Sequence, residues 1–336
     1  MRHGGDLSEA MARFGGTSAD WLDLSTGINP HAYPHSSLVA AEDWTRLPAP
    51  SAHDALVETA RTAYQVPETM GVVAASGTQA LIAQLPRLVS RTSVAIVSPT
   101  YASHAESWAS AGHAITAVPS VDQIPQHTPY VVVASPNNPT GAQYNPQDLL
   151  TLARTLHERE GMLIVDEAFA DSIPASSLLP HIQDESVVVL RSFGKFYGLA
   201  GVRLGFMIAP GPVCRTMRER LGTWAVSGPA LKIGHAALND HDWQQTMRAQ
   251  LAEEAQRLET LVKAAGFTVT GQTPLFTLIS CEDAADLHYH LATRHIWTRL
   301  FDYSENWLRL GHPATEDEWQ RLEQGLATFN MQEVAR

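Results

Sequence analysis

Cysteine is almost absent. The two present, Cys214 and Cys281, lie far apart in a chain of 336 residues. That leaves no disulfide framework and no zinc-ligand spacing, and a reducing, cytoplasmic setting is expected. Long apolar runs are missing too: none approaches the roughly 18–20 residues of a membrane span. The N-terminus, MRHGGDLSEAMARF, has no apolar core, so no secretory leader is expected there. Positive charge is in short supply. Lys and Arg number 23 against 35 Asp and Glu, for a formal net charge of −12, which opposes nucleic acid or an anionic membrane as a bulk partner. Any anion site must therefore be a local cluster of positive charge. Histidine, at 15 residues, invites a metal reading, but His31 and His35 are interrupted by Pro34. His288 and His290 sit two apart on an expected helix and so face different ways. No metal is expected.

What is present is ordinary globular material: 44% hydrophobic and 17% charged residues. The length suggests about two domains and allows a large core. Short β-branched runs recur at 72–74, 94–97, 114–118, 130–134, 162–165, 187–190 and 204–208, with helical patterns such as 78–90 and 145–160 between several of them. Strands alternating with helices predict βαβ units and a mostly parallel sheet. Continuous apolar strands predict that both faces are covered. Beyond about residue 223 the texture changes to a long helix at 242–265, strands at 267–270 and 276–280, a helix at 284–294 and a last helix after Glu316. The expected organisation is an irregular N-terminal arm over 1–40, a large α/β domain over 41–222 and a smaller α+β domain over 223–336.

The chemistry concentrates at strand ends. Val189 to Phe206 reads VLRSFGKFYGLAGVRLGF, with one lysine, Lys195, among apolar residues and glycines. Alone it reads as a loop lysine, and Ser192-Phe193-Gly194-Lys195 also fits the S-x-x-K pattern of serine acyl-enzymes, whose companion motifs are absent. Asp166 ends an apolar strand, where open α/β sheets place binding sites, although a helix N-cap is the plainer reading. Ser135-Pro136-Asn137-Asn138-Pro139-Thr140-Gly141 is a turn by composition. Ser76-Gly77-Thr78 closes a strand and opens a helix whose backbone N–H groups suit a phosphate.

Each signal is weak alone; in order they are not. A lysine amine forms a Schiff base with an aldehyde. Pyridoxal phosphate needs that lysine, an acid at its ring nitrogen and a phosphate cup. The chain supplies Lys195, Asp166, and Ser76, Gly77 and Thr78 together with Ser192 and Arg203. Asn138 is placed to donate to the ring hydroxyl oxygen, and Tyr101, in Ser98-Pro99-Thr100-Tyr101, to stack on the ring.

This ordered set resembles the fold-type-I pyridoxal-phosphate enzymes, in particular the histidinol-phosphate aminotransferase branch. Within it, His3-Gly4-Gly5-Asp6, the stretch from Trp21 through Ser25-Thr26-Gly27-Ile28-Asn29-Pro30, Asp166-Glu167-Ala168-Phe169 and Trp224-Ala225-Val226-Ser227 are similar to the threonine-phosphate decarboxylases of cobalamin biosynthesis. The resemblance implies the fold-type-I architecture, a mostly parallel mixed sheet sandwiched by helices with a smaller α+β domain. It implies the same roles for Lys195, Asp166, Asn138, Ser192 and Arg203, and adds His3 and Gly4 in a loop closing over substrate. Arg299 and Arg309 become binders of the phosphate and carboxylate of a small phosphorylated amino acid, and a homodimer is implied. Two positions depart from the pattern: Leu47 stands where relatives often have a tyrosine reaching the neighbouring subunit, and Gly27 where some decarboxylases have asparagine. The expected reaction is decarboxylation of L-threonine O-3-phosphate to (R)-1-aminopropan-2-yl phosphate. The alternative is an aminotransferase acting on histidinol phosphate or a similar amine.

Overall fold

The structure, a computed structural model, describes residues 4–183 and 185–333. In chain order the elements are α1 (Ser8–Phe14), β1 (Leu22–Asp23), α2 (Ala41–Thr45), α3 (Pro50–Ala63), β2 (Met70–Ala75), α4 (Thr78–Gln84), β3 (Ser93–Val97), α5 (Ser103–Ser110), β4 (Ala114–Val118), β5 (Tyr130–Ala134), α6 (Pro146–His157), β6 (Met162–Asp166), β7 (Val187–Ser192), α7 (Phe193–Phe196), β8 (Gly205–Pro210), α8 (Gly211–Leu221) and α9 (Gly228–Asn239). They continue with α10 (His241–Ala264), β9 (Thr268–Thr273), β10 (Phe276–Ser280), α11 (Ala284–Ala292), β11 (Ile296–Trp297), β12 (Arg299–Phe301), β13 (Ser304–Leu310) and α12 (Glu316–Glu333). Contacts divide the chain into a larger unit, Ala32–Asn138 with Ala142–Gln245, and a smaller one made of the chain up to His31, Pro139–Gly141 and the chain from Thr246 onward.

The larger unit is a seven-stranded mixed sheet in the order β2-β8-β7-β6-β5-β3-β4, flanked by helices. All its neighbours are parallel except β8, which runs antiparallel to both β2 and β7. The carboxyl ends of β2, β3, β5, β6 and β7 therefore share one edge, and β8 begins at that edge. The strands are apolar on both faces because both are covered: Val132, Ile164 and Val188 are each no more than 1% exposed, in one core with Ile96, Trp108 and Met207. The expected helix over 78–90 is shorter as an α-helix. It ends at Gln84, and Leu85–Leu88 continues as a 3-10 turn, because Pro86 has no N–H to extend the ladder. At α6 the Asn145 side chain caps Gln147 N–H, and Pro146 takes the first helical position.

The smaller unit has a four-stranded antiparallel sheet, β12-β13-β10-β9, and a short parallel pair, β1 with β11. Its core joins Leu22 and Leu24 to Leu258, Leu291, Leu308 and Leu322. Residues 22–24, which the sequence left irregular, are held by backbone bonds from Leu22 N–H to the His295 carbonyl and from Leu24 N–H to the Trp297 carbonyl.

Both α11 histidines are buried with separate partners: His288 Nδ1 lies 2.8 Å from Thr298 Oγ1, and His290 Nε2 lies 2.9 Å from the Gly325 carbonyl. Among the described residues no group of His, Cys, Asp and Glu is placed to hold a metal. Burial pushes the His288 pKa down to about 4 from 6.5. The folded protein then stays neutral there while the unfolded chain takes a proton, so stability is complete above pH 6.5 and falls as pH drops towards 4. The expected loss across that window is about 3 kcal/mol. Urea denaturation at pH 7 and pH 4.5 checks it: His288→Gln should show the smaller pH dependence, and equal dependence in both proteins would refute it.

Candidate active site

In the larger unit one cleft opens at the common strand edge. Its walls come from Gly77, Thr78 and Gln79 after β2, Tyr101 after β3, Asn138 after β5, Asp166 at the end of β6, Ser192, Lys195 on α7, and Arg203 before β8. The sheet direction explains the set. Residues at or just after the ends of five parallel strands meet residues that precede the reversed strand, Arg203 among them, and the register Ala75↔Gly205 and Ser192↔Gly205 brings those ends together.

Asp166 is 5% exposed. Its Oδ1 accepts from Ala168 N–H at 3.0 Å, and its Oδ2 lies 2.8 Å from His104 Nε2. Both oxygens are thus fixed in direction; the bond to Ala168 N–H closes a local turn rather than capping a helix, since the next helical turn begins at Ala170, and Asp166 lines the cleft. Lys195 rides on a single helical turn whose flanking Phe193 and Phe196 are fully buried. That packing fixes where its stem starts.

Gly77 has φ +84°, and a Cβ there would stand 2.7 Å from Arg203 Nη2. Only glycine allows both the backbone and that approach. The opening of α4 and a guanidinium together make a cradle with the charge an anion needs. Arg203 itself sits at φ +56° and donates to the Ala200 carbonyl at 3.1 Å. Ser76, expected in the same cup, is not among the cleft-lining residues. Its hydroxyl donates to the Ala225 carbonyl at 2.5 Å, and Gln79, which accepts from the Tyr101 hydroxyl at 3.1 Å, lines the cleft.

Behind the cleft lies a buried ionic network that the sequence reading did not anticipate. Arg191 Nη1 donates to Glu167 Oε2 at 2.7 Å, and its Nη2 donates to Asp171. Glu167 also accepts from Ser177 Oγ at 2.7 Å and Leu178 N–H at 2.6 Å. Burial pushes the Glu167 carboxyl up, opposed by Arg191. Arg191 is raised by Asp171 and Glu167 in spite of its own burial. Since successive side chains on a strand face opposite ways, Asp166 and Ser192 can serve the cleft while Glu167 and Arg191 lock the same two strands beside it. His104 was also missed. Its one signal is the i, i+3 spacing from Tyr101 at the start of α5, which sets the two rings edge to face, 6.2 Å apart.

In the smaller unit Arg299 and Arg309 are register partners across β12 and β13, so their side chains share a face. Like charges directly opposite are unfavourable. Burial, then Arg299, lowers the pKa of Arg309 to about 10, and burial lowers that of Arg299. Arg309 Nη2 donates to the Ser25 carbonyl at 2.8 Å. Gly4 packs against the same residue. His3 lies outside the described residues.

A cleft with a lysine, a buried carboxylate and a cationic cradle at the carboxyl edge of such a sheet defines a class, and the chain belongs to the aminotransferase class I and II family, whose profile matches residues 19–324. Within that family it falls with the threonine-phosphate decarboxylases. It is 41% identical over 332 residues to one from Pseudomonas aeruginosa and 40% identical over 333 residues to one from Sinorhizobium sp, each time across 98% of both chains. Among solved structures, the histidinol-phosphate aminotransferase of Sinorhizobium meliloti in complex with pyridoxal-5'-phosphate matches with a TM-score of 0.83 at 20% identity, covering 96% of this chain and 94% of that one. The L-threonine-O-3-phosphate decarboxylase of Porphyromonas gingivalis matches at 0.77 and 18%, covering 92% and 99%. These likenesses bear out the fold-type-I architecture.

Proposed function

We propose that the protein is a pyridoxal-phosphate-dependent carboxy-lyase that converts L-threonine O-3-phosphate to (R)-1-aminopropan-2-yl phosphate and carbon dioxide, a step in cobalamin biosynthesis. The observation that carries the cofactor is the single cleft holding Lys195, Asp166 and the Gly77–Arg203 cradle. The cradle and the buried carboxylate fit the group's phosphate and ring nitrogen. When bound, pyridoxal phosphate would supply an electron sink for the bond broken at the substrate Cα.

The protein's own residues decide the rest. Asp166, aimed by His104 and Ala168 N–H, would hold a proton on the ring nitrogen. Asn138 would donate to the ring hydroxyl oxygen, and Tyr101 would cover the ring. Arg203, Thr78 and Ser192 would hold the cofactor phosphate. Arg299 and Arg309 take the substrate's anionic groups: a dianion relieves the repulsion built into their opposed positions, and a guanidinium fork suits phosphate. Binding energy drawn from that phosphate would orient Cα without using the carboxylate as the anchoring group. Lys195 Nζ then delivers the proton that replaces the carboxylate.

Exposed apolar residues support a homodimer. Trp44, Leu47 and Trp224 are 72, 69 and 59% exposed, and Trp224 shares a groove with Pro48, Ala49 and Pro50.

The deciding experiment incubates cofactor-loaded enzyme with L-threonine O-3-phosphate and follows carbon dioxide and the amine. A parallel reaction offers histidinol phosphate with 2-oxoglutarate. Carbon dioxide in the first supports the reading. Glutamate in the second with no carbon dioxide in the first replaces it with the aminotransferase. Light scattering on the same sample tests the dimer, which a 36.6 kDa particle would remove.

A further inference from the structure

Ser25 joins two parts of the smaller unit that are far apart in sequence. It follows β1 and is fully buried. Its Oγ accepts from Gly5 N–H at 2.8 Å and donates to Asp23 Oδ1 at 2.5 Å. That same carboxylate oxygen accepts from Ser25 N–H at 2.9 Å. The Ser25 carbonyl accepts from Arg309 Nη2 at 2.8 Å, and it lies 2.3 Å from where a Cβ on Gly4 would stand. One residue therefore holds the N-terminal glycines through its side chain and Arg309 through its backbone. Next to it, Gly311 N–H donates to the Leu24 carbonyl at 2.8 Å, which ties this segment to the end of the strand that carries Arg309.

We propose that Asp23 and Ser25 form a positioning device that aims the Arg309 guanidinium and couples anion binding there to ordering of the Gly4–Gly5 segment. The inference rests on the reading of Arg309 as an anion-binding group and adds to it the residues that orient it. The chemistry favours this layout. The Ser25 carbonyl holds one nitrogen of the Arg309 fork in a fixed direction. Asp23 stands one bond further out. There it fixes Ser25 while its charge still favours the protonated arginine. Because the Ser25 carbonyl faces both Arg309 and Gly4, a movement of the guanidinium towards an anion shifts the surface on which the glycines pack.

Two variants probe the device from opposite sides. Ser25→Ala removes the acceptor for Gly5 N–H and the link to Asp23. Gly4→Ala forces the N-terminal segment off the Ser25 carbonyl and leaves Ser25 intact, so it carries the test if Ser25→Ala does not fold. Both are measured as holoenzyme, with thermal unfolding to verify the fold. With L-threonine O-3-phosphate, KM should rise about tenfold or more, the size of a lost hydrogen bond to a charged group, and kcat should change less than KM. Hydrogen exchange of residues 4–14 with and without inorganic phosphate gives the second readout. Phosphate should protect this segment in the wild-type protein and not in either variant. Wild-type KM together with wild-type protection in the folded variants would overturn the proposal, as would a wild-type segment indifferent to phosphate. The phosphate arm needs no turnover. If threonine phosphate proves not to be a substrate, the reaction assigned above fails while the exchange result still decides the coupling.

Discussion

Replacing Lys195 by alanine is expected to abolish turnover, with a fall of at least about four orders of magnitude, the upper range for losing a positioned acid–base group, because covalent attachment goes as well. The expectation follows from placement. Lys195 lies on a one-turn helix between buried phenylalanines in the cleft that also holds Asp166 and Arg203. Borohydride reduction followed by mass mapping should place the cofactor on Lys195 in the wild-type protein and on no residue in the variant. Lys195→Arg keeps the charge and loses the attachment, so it should be equally inactive. Substantial carbon dioxide release by either variant would remove Lys195 from its assigned role.

Asp166→Ala should be the next most damaging change. Removing one partner of a buried charge interaction costs about 3–5 kcal/mol, or about two to three and a half orders of magnitude at 1.4 kcal/mol per decade. That loss should divide between cofactor affinity and kcat, since the same carboxylate holds the ring and its proton. Asp166→Asn separates charge from shape: it retains an acceptor for Ala168 N–H, so it should fold normally, bind cofactor better than the alanine variant and still turn over slowly. Cofactor titration with single-turnover rates checks both. An asparagine variant with near wild-type rates would mean that the ring nitrogen is not held here.

The opposed arginines and the cleft differ in how far they are legible in the sequence. Lys195, Asp166 and Asn138 were legible because each follows an apolar run, and a strand followed by a Gly, Pro or Asn turn is written in neighbouring residues. Ser76 shows the limit of such reading. The motif put its hydroxyl in the cup, whereas in the structure that hydroxyl donates to the Ala225 carbonyl, 149 residues away in sequence. Arg299 and Arg309 entered only through the family resemblance, since nothing local to either states that they would be register partners.

Periodicity, turn chemistry and motif order were enough to predict a helix-flanked α/β sheet, a second α+β region and a pyridoxal-phosphate constellation in chain order, because each is a property of short windows. The shared edge that turns that order into a site came from topology: β8 alone reverses, and so Arg203, which precedes a strand, reaches residues that follow strands. The same holds for His104 on Asp166 across 62 residues, Arg191 on Glu167 across 24, and Arg309 on Ser25 across 284. Such pairs are selected by strand register and by the need of each buried polar group for a partner, and neither condition exists until the chain has folded.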